Sequence, residues 1–221
     1  MRAGALLLAA GRGERMGSGE PKAFLRLAGR TLLERAVAAV EECADIEGFV
    51  VSAPGGNEDA VKDLARSPKL LAVTVGGETR QESVRRALGT LPDRFDAVVC
   101  HDVARPLADP KLFSDVLAAL GTADGVIPVL PVTDTVKRVM DGAIFETVAR
   151  EGLAMAQTPQ VFRRRSLEAA HAAATATLTD DAALLEAAGF RVVTVPGDPV
   201  NLKVTEPRDL RLAEALLKSL G

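Results

Sequence analysis

Near its amino end the chain reads Ala9-Ala10-Gly11-Arg12-Gly13-Glu14-Arg15-Met16-Gly17, followed by Pro21-Lys22. Closely spaced glycines let backbone N–H groups converge on an anion, and after the first strand of a parallel sheet such a loop suits phosphate. Arg15 and Lys22 add two cations within reach of whatever the glycines hold, and Pro21 stiffens the approach to Lys22. Two familiar phosphate loops do not fit. The dinucleotide fingerprint needs a third glycine where Met16 stands, and an acidic residue ending the second strand, where the chain reads Val51-Ser52-Ala53. No Gly-Lys-Ser/Thr of the Walker type follows either. The chemistry implied is polyphosphate held by loop backbone and discrete cations; solvated loop charge, the bland alternative for Arg15 and Lys22, is disfavoured at the carboxyl end of strand one, where open α/β sheets bind ligands.

Further candidates lie downstream. Asp102 ends an apolar run, where it can coordinate Mg²⁺ or hold a hydroxyl, or simply cap a turn. Arg105, three residues on, can pair with it or meet a substrate. Gly76-Gly77, with Ser83 beyond, can read the edge of a small flat base through backbone groups, or form a plain turn before a helix. Thr179-Asp180-Asp181 reads equally as a site or as a helix N-terminus. His101 reads as structural.

These residues need a scaffold, and the pattern supplies one. Ala5–Ala9, Gly48–Ala53, Leu71–Val75, Ala97–Asp102 and Val126–Val132 read as strands without the polar alternation of a half-exposed sheet. Thr31–Cys43 is helical, with apolar residues at helical spacing and a Thr31/Glu34 capping box. Asn57–Ala65, Glu82–Leu88 and Lys111–Leu120 read as further helices. The alternation predicts an α/β fold, a mostly parallel twisted sheet with helices on both faces. It breaks at Thr135–Met140 and Ala143–Ala149, which flank the turn dipeptide Asp141-Gly142 and predict a protruding β-hairpin arm at about 134–156. Helices return at Ser166–Ala176 and Asp180–Ala188, then a strand at Arg191–Val195 and a last helix from about Glu206, capped by Thr205. One domain over 1–221 is expected.

Composition narrows the function classes. Of 221 residues, 48% are hydrophobic and 26% charged, the balance of a globular protein. The net charge of −3 and the absence of Trp and Tyr argue against nucleic acid as a partner. No apolar run reaches the ~18 residues of a membrane span, and Ala5–Ala10 is too short for a signal core, so a cytoplasmic protein is expected. Cys43 and Cys100 read as buried thiols without metal-ligand spacing.

Leu8-Ala9-Ala10-Gly11-x-Gly13-x-x-Met16 with Pro21-Lys22 resembles the nucleotidyltransferases that activate sugars and sugar alcohols. Gly76–Val84, His101–Pro106, Asp134–Lys137, Gln157–Gln160, Thr179–Asp181 and Asn201–Thr205 narrow the likeness to the 2-C-methyl-D-erythritol 4-phosphate cytidylyltransferases, in order along nearly the whole chain. The resemblance implies a Rossmann-like fold and attack of a polyol phosphate on the α-phosphate of CTP, with Mg²⁺ bridging the triphosphate. It assigns transition-state stabilisation to Arg15 and Lys22, and CTP binding to Ala9, Ala10, Gly11, Gly13, Gly76, Gly77 and Ser83. It assigns the polyol phosphate to Arg150, Lys203, Thr135, Arg105, Thr158, Thr179 and Asp102. It also implies a homodimer in which the arm completes the partner's site. The chain departs from the family at Glu14, Glu78, Ala149 and Ala154, and Ala154 bears on the polyol side of the pocket. Rival readings are a ribitol 5-phosphate or other sugar-phosphate nucleotidyltransferase of the same fold, and a non-catalytic nucleotide-binding module. Retention of both Arg15 and Lys22 disfavours the latter.

Overall fold

The computed structural model describes residues 1–11, 13, 16–17 and 19–220. Its sheet is built from β1 (Ala3–Leu8), β4 (Ile46–Ala53), β5 (Leu70–Val75), β6 (Ala97–Asp102), β7 (Gly125–Pro131), β10 (Ala154–Ala156), β11 (Gln160–Arg163) and β12 (Val192–Pro196). Two small antiparallel pairs stand apart: β2 (Arg26–Leu27) with β3 (Arg30–Thr31), and β8 (Val136–Met140) with β9 (Ala143–Val148).

The strand order is β10-β7-β11-β6-β1-β4-β5, with β12 on β7. From β1 the chain winds outward through β4 to β5, then crosses back to β6 on the other flank of β1. Strand order therefore reverses between β1 and β6, the place where open α/β sheets leave a crevice at the strands' carboxyl ends. The sheet is mostly parallel; β10 and β11 run against it. Those two strands were not expected from the sequence. They form two halves of one course beside β7, with Met155 opposite Leu130 and Val161 opposite Val126. Each is too short for alternation to register, and Pro159 between them argues locally against a strand. Ala154–Ala156 thus belongs to the main sheet, so the projecting hairpin is β8–β9, shorter than the 134–156 arm expected.

Helices cover both faces because β1 alternates its apolar side chains between them. Leu7 packs on one face with Val37 and Val40 of α1 (Leu32–Glu42), Val61 of α2 (Glu58–Leu64), Phe113 of α4 (Pro110–Ala118) and Ala213 of α7 (Pro207–Leu220). Leu6 packs on the other with Val84 and Leu88 of α3 (Arg80–Thr90), Leu167 of α5 (Arg164–Ala173) and Leu185 of α6 (Asp181–Ala187). Each buried leucine of this kind contributes roughly 1.5–3 kcal/mol.

Local signals explain most helix starts. Thr31 and Glu34 form the expected capping box. α3 begins at Arg80, two residues earlier than expected, because the Thr79 hydroxyl accepts from Glu82 N at 3.1 Å. The Thr205 cap is reversed. Asp209 Oδ2 reaches back to accept from Thr205 N, Thr205 Oγ1 and Glu206 N at 2.6–2.9 Å, so Thr205 is donor rather than cap acceptor. A carboxylate in the first helical turn accepts charge-assisted hydrogen bonds and is favoured there by the helix dipole.

Candidate active site

A cavity of about 760 Å³ opens at the β1/β6 crevice, within the size range of small-ligand sites. Parallel pairing sets Leu8 beside both Ser52 and Asp102, so the loop leaving β1 and the end of β6 reach the cavity together. Ala9, Ala10, Gly11, Gly13, Lys22, Gly77, Ser83, Asp102 and Lys203 all line it. Among the expected residues, Arg15 lies outside the described part of the chain.

Gly13 has φ +70°, a conformation glycine adopts without strain, and a Cβ there would stand 3.3 Å from Lys22 Cβ. The loop is therefore folded directly against Lys22, which opens a short 3-10 turn, Lys22–Phe24, behind Pro21. Lys203 arrives by another route. Val204 N donates to Ala104 O at 2.7 Å, and Asn201 Nδ2 donates to Thr158 O at 2.8 Å. These bonds seat the 201–205 segment against the end of β6 and bring Lys203 Nζ within 2.7 Å of Asp102 Oδ2.

Asp102 is held on two sides. Its Oδ1 accepts from Arg80 Nε at 3.0 Å, and Arg80 Nη1 donates to Asp181 Oδ2 at 2.7 Å. Burial by itself would raise the Asp102 carboxyl, but Arg80 and Lys203 outweigh it and hold it well below the usual carboxylate range. Burial works against the charged form of Arg80, but Asp181 and Asp102 outweigh it and hold the guanidinium above its ordinary range.

Arg80 is a cavity-lining residue that the sequence reading passed over inside the Gly76–Val84 motif. A signal was present: Thr79-x-x-Glu82 is a capping pattern, and it puts Arg80 at the start of a helix facing the end of β6.

Gly76 does not line the cavity. Its N–H goes to Ala53 O at 2.8 Å and its carbonyl accepts from Arg86 Nη1 at 2.9 Å. A Cβ there would fall 2.2 Å from Ala10 Cβ, so this glycine lets the end of β5 approach the β1 loop. The Gly77 N–H is also engaged, donating to Ser83 Oγ at 3.0 Å. The Ser83 hydroxyl in turn donates to Thr79 O at 2.9 Å, so Gly77 and Ser83 line the cavity with these groups engaged, and Gly76 stands outside its lining.

The remaining expected residues lie off the cavity. Thr158 is buried behind Asp102, its hydroxyl accepting from Asp102 N at 3.0 Å and lying 3.2 Å from His101 Nδ1. Arg105 donates to the Asn201 and Ala156 carbonyls, at 2.7 and 3.3 Å. Neither is among the residues that line the cavity. Thr179 is exposed, and it is Asp180 that caps α6, accepting from Ala183 N at 2.9 Å. Thr135 and Arg150 are exposed at the base of the hairpin, where Arg150 Nη1 donates to Thr133 O.

His101 is fully buried, packed 4.9 Å from the Phe113 ring, and burial pushes its pKa down to about 4. Unfolded, it would bind a proton near pH 6.5, whereas folded it stays neutral until about pH 4. The unfolded state therefore binds more protons between those values, and stability is lost as pH falls through that window, by roughly 3 kcal/mol at most. The expected result is a melting temperature that drops less between pH 6.5 and 4 in His101→Gln than in wild type. Parallel curves would exclude His101 as a source of acid sensitivity.

A mostly parallel sheet with its ligand crevice at a phosphate-type loop, lined by Lys22, Arg80 and Lys203 around one carboxylate, defines the α/β nucleotidyltransferase class. The model of the 2-C-methyl-D-erythritol 4-phosphate cytidylyltransferase family, IspD, matches residues 4–219, and the chain belongs to that family. A 2-C-methyl-D-erythritol 4-phosphate cytidylyltransferase of Frankia casuarinae is 47% identical over 98% of this chain and 81% of its own length. That of Saccharopolyspora erythraea is 44% identical, over 96% of this chain and 98% of its own. Among solved structures, the Thermus thermophilus 2-C-methyl-D-erythritol 4-phosphate cytidylyltransferase has 36% identity and a TM-score of 0.80, covering 96% of this chain and 98% of that one. The 4-diphosphocytidyl-2C-methyl-D-erythritol synthase of Anaerococcus prevotii has 28% identity and a TM-score of 0.86, covering 98% and 96%. No helix among the described residues is long and apolar enough to cross a membrane.

Proposed function

We infer that this chain transfers the cytidylyl group of CTP to 2-C-methyl-D-erythritol 4-phosphate, releasing pyrophosphate and forming 4-diphosphocytidyl-2-C-methyl-D-erythritol. The observation that carries this reading is the gathering of the glycine loop, Lys22, Ser83, Asp102 and Lys203 around one cavity in a member of this family. A phosphate oxygen of the acceptor forms the new bond to the α-phosphorus as the bond to pyrophosphate breaks. That oxygen is largely ionised near pH 7, the second phosphate pKa being about 6, so no general base is required. The protein's task is to hold two polyanions in line and to offset the charge that develops between them. Lys22, with Arg15, takes the second part; Lys203 leaves Asp102 to grip the acceptor phosphate.

Mg²⁺ fits this site in one manner. Among the described residues no three His, Cys, Asp or Glu side chains cluster to hold a metal. Asp102 is a single ionised carboxylate with lone pairs beyond those given to Arg80 and Lys203. It suits an ion whose other ligands are phosphate oxygens and water, and which, when bound, supplies charge neutralisation on the triphosphate.

The reading extends to assembly and place. Val139, Met140, Ile144 and Phe145 of the hairpin are 59–66% exposed, an apolar surface that a twofold pairing of arms would cover. In such a homodimer Thr135 and Arg150 would reach the partner's cavity, and the enzyme would work in the cytoplasm.

The test is pyrophosphate release from CTP or UTP with a panel of polyol phosphates that includes ribitol 5-phosphate. The expected result is turnover with CTP and the methylerythritol phosphate, and little with UTP, whose carbonyl stands where cytosine offers an amino group. Preference for ribitol 5-phosphate would move the acceptor assignment, and equal use of UTP would remove the base assignment.

A further inference from the structure

Behind the cavity floor lies a carboxylate that the reaction above does not use. Asp181 is the first residue of α6, its side chain has no solvent exposure, and its Oδ2 takes the Nη1 hydrogen of Arg80. Arg80 lines the cavity and Asp181 does not. The planar guanidinium is thus strung between two carboxylates on different elements, Asp102 at the end of the sheet and Asp181 on a helix. Such a fork holds one orientation only when fixed acceptors match its donors.

Both elements are themselves tied. Asp180 accepts from Gln160 Nε2 at 2.8 Å, fixing the start of α6 to β11. Gln81, beside Arg80, accepts from Leu178 N at 3.0 Å and donates to Ala176 O at 3.4 Å, fixing the loop before α6 to α3. The arrangement is costly in energy. A fully buried carboxylate gives up its hydration, and Arg80 Nη2 is buried with no hydrogen-bond partner among the described residues. Apolar side chains of similar volume would stabilise the same space as well or better. What the ion pair adds over them is a defined direction for Arg80, and through it for Asp102.

We propose that Asp181 is a positioning residue: acting through Arg80, it fixes the orientation of Asp102 in the cytidylyl-transfer cavity without itself meeting substrate. This rests on the proposed function, and the experiment separates the two. The kinetics of wild type, R80Q, D181N and R80Q/D181N are measured with CTP and the methylerythritol phosphate, with circular dichroism to confirm folding. Each single substitution is expected to lower kcat/KM about tenfold or more, and the double variant to be no worse than R80Q alone. Loss of Asp181 can leave Arg80 as an uncompensated buried charge and unfold the chain. The R80M/D181L variant removes both charges, and its kcat/KM should then match that of R80M within about twofold. Losses that multiply in R80Q/D181N, wild-type kinetics in D181N, or an R80M/D181L variant far below R80M would each overturn the proposal. A wild-type enzyme releasing no pyrophosphate would instead overturn the proposed function.

Discussion

Lys22→Ala is expected to lower kcat about a hundred- to a thousandfold, the usual effect of removing one preorganised group that stabilises charge in a transition state. The expectation rests on placement. Lys22 lines the cavity, and its backbone is held by Pro21 on one side and by the close approach of Gly13 on the other. With the backbone set, only the side chain's own rotamers remain to be ordered on meeting the triphosphate, which places the charge within reach of the α-phosphate. The effect should fall mainly on kcat, since other cavity groups still bind CTP. Folding should be unaffected, because the Lys22 side chain is not part of the apolar core. Turnover within about threefold of wild type would take Lys22 out of the reaction, being well short of the loss such a group causes.

The second large effect is expected from mixing two inactive proteins. Lys22→Ala chains and Arg150→Ala chains, each nearly inactive alone, should recover activity when allowed to exchange. Arg150 is exposed at the hairpin base and does not line its own chain's cavity, so a role for it in catalysis requires a second chain. The hairpin supplies a means. Asp141 and Gly142 both have positive φ, 50° and 79°, as a two-residue turn between tightly paired strands demands. An isolated two-stranded hairpin with exposed Ile144 and Phe145 is marginal in water and gains by packing on another copy. If sites are shared, a mixed dimer carries both lesions in one site and neither in the other, giving up to about half the wild-type activity per mixed dimer. Exchange confirmed by mass spectrometry with no return of activity would show that Arg150 has no part in a shared site.

How much was legible beforehand differs from residue to residue. The Thr31/Glu34 box, the Asp141-Gly142 turn and the run Ala97–Asp102 were readable because each is a local device, set by spacing within a few residues. The Thr79/Glu82 cap is equally local, and it is the one signal in the sequence that leads to Arg80. The strands β10 and β11 were not readable in the same sense. Ala154–Ala156 and Gln160–Arg163 carry too few residues for a pattern, and they are strands because β6 and β7 offer them unpaired edges.

By itself, then, the sequence determined the winding of strands and helices, the phosphate-type loop with its lysine, and the candidacy of Asp102 and Lys203. All but Lys203 follow from short-range periodicity and residue chemistry; Lys203 follows from the family resemblance. Only the tertiary structure decided which candidates meet. It placed Lys203 2.7 Å from Asp102 across 101 positions of chain, and joined Arg80 to Asp181 across the same separation. It also gave Gly76, Thr158 and Arg105 partners within the protein that no local pattern specifies. The physical reason is that a buried polar group takes whichever partner the packed elements bring within about 3 Å, and that partner is set by sheet register and strand order.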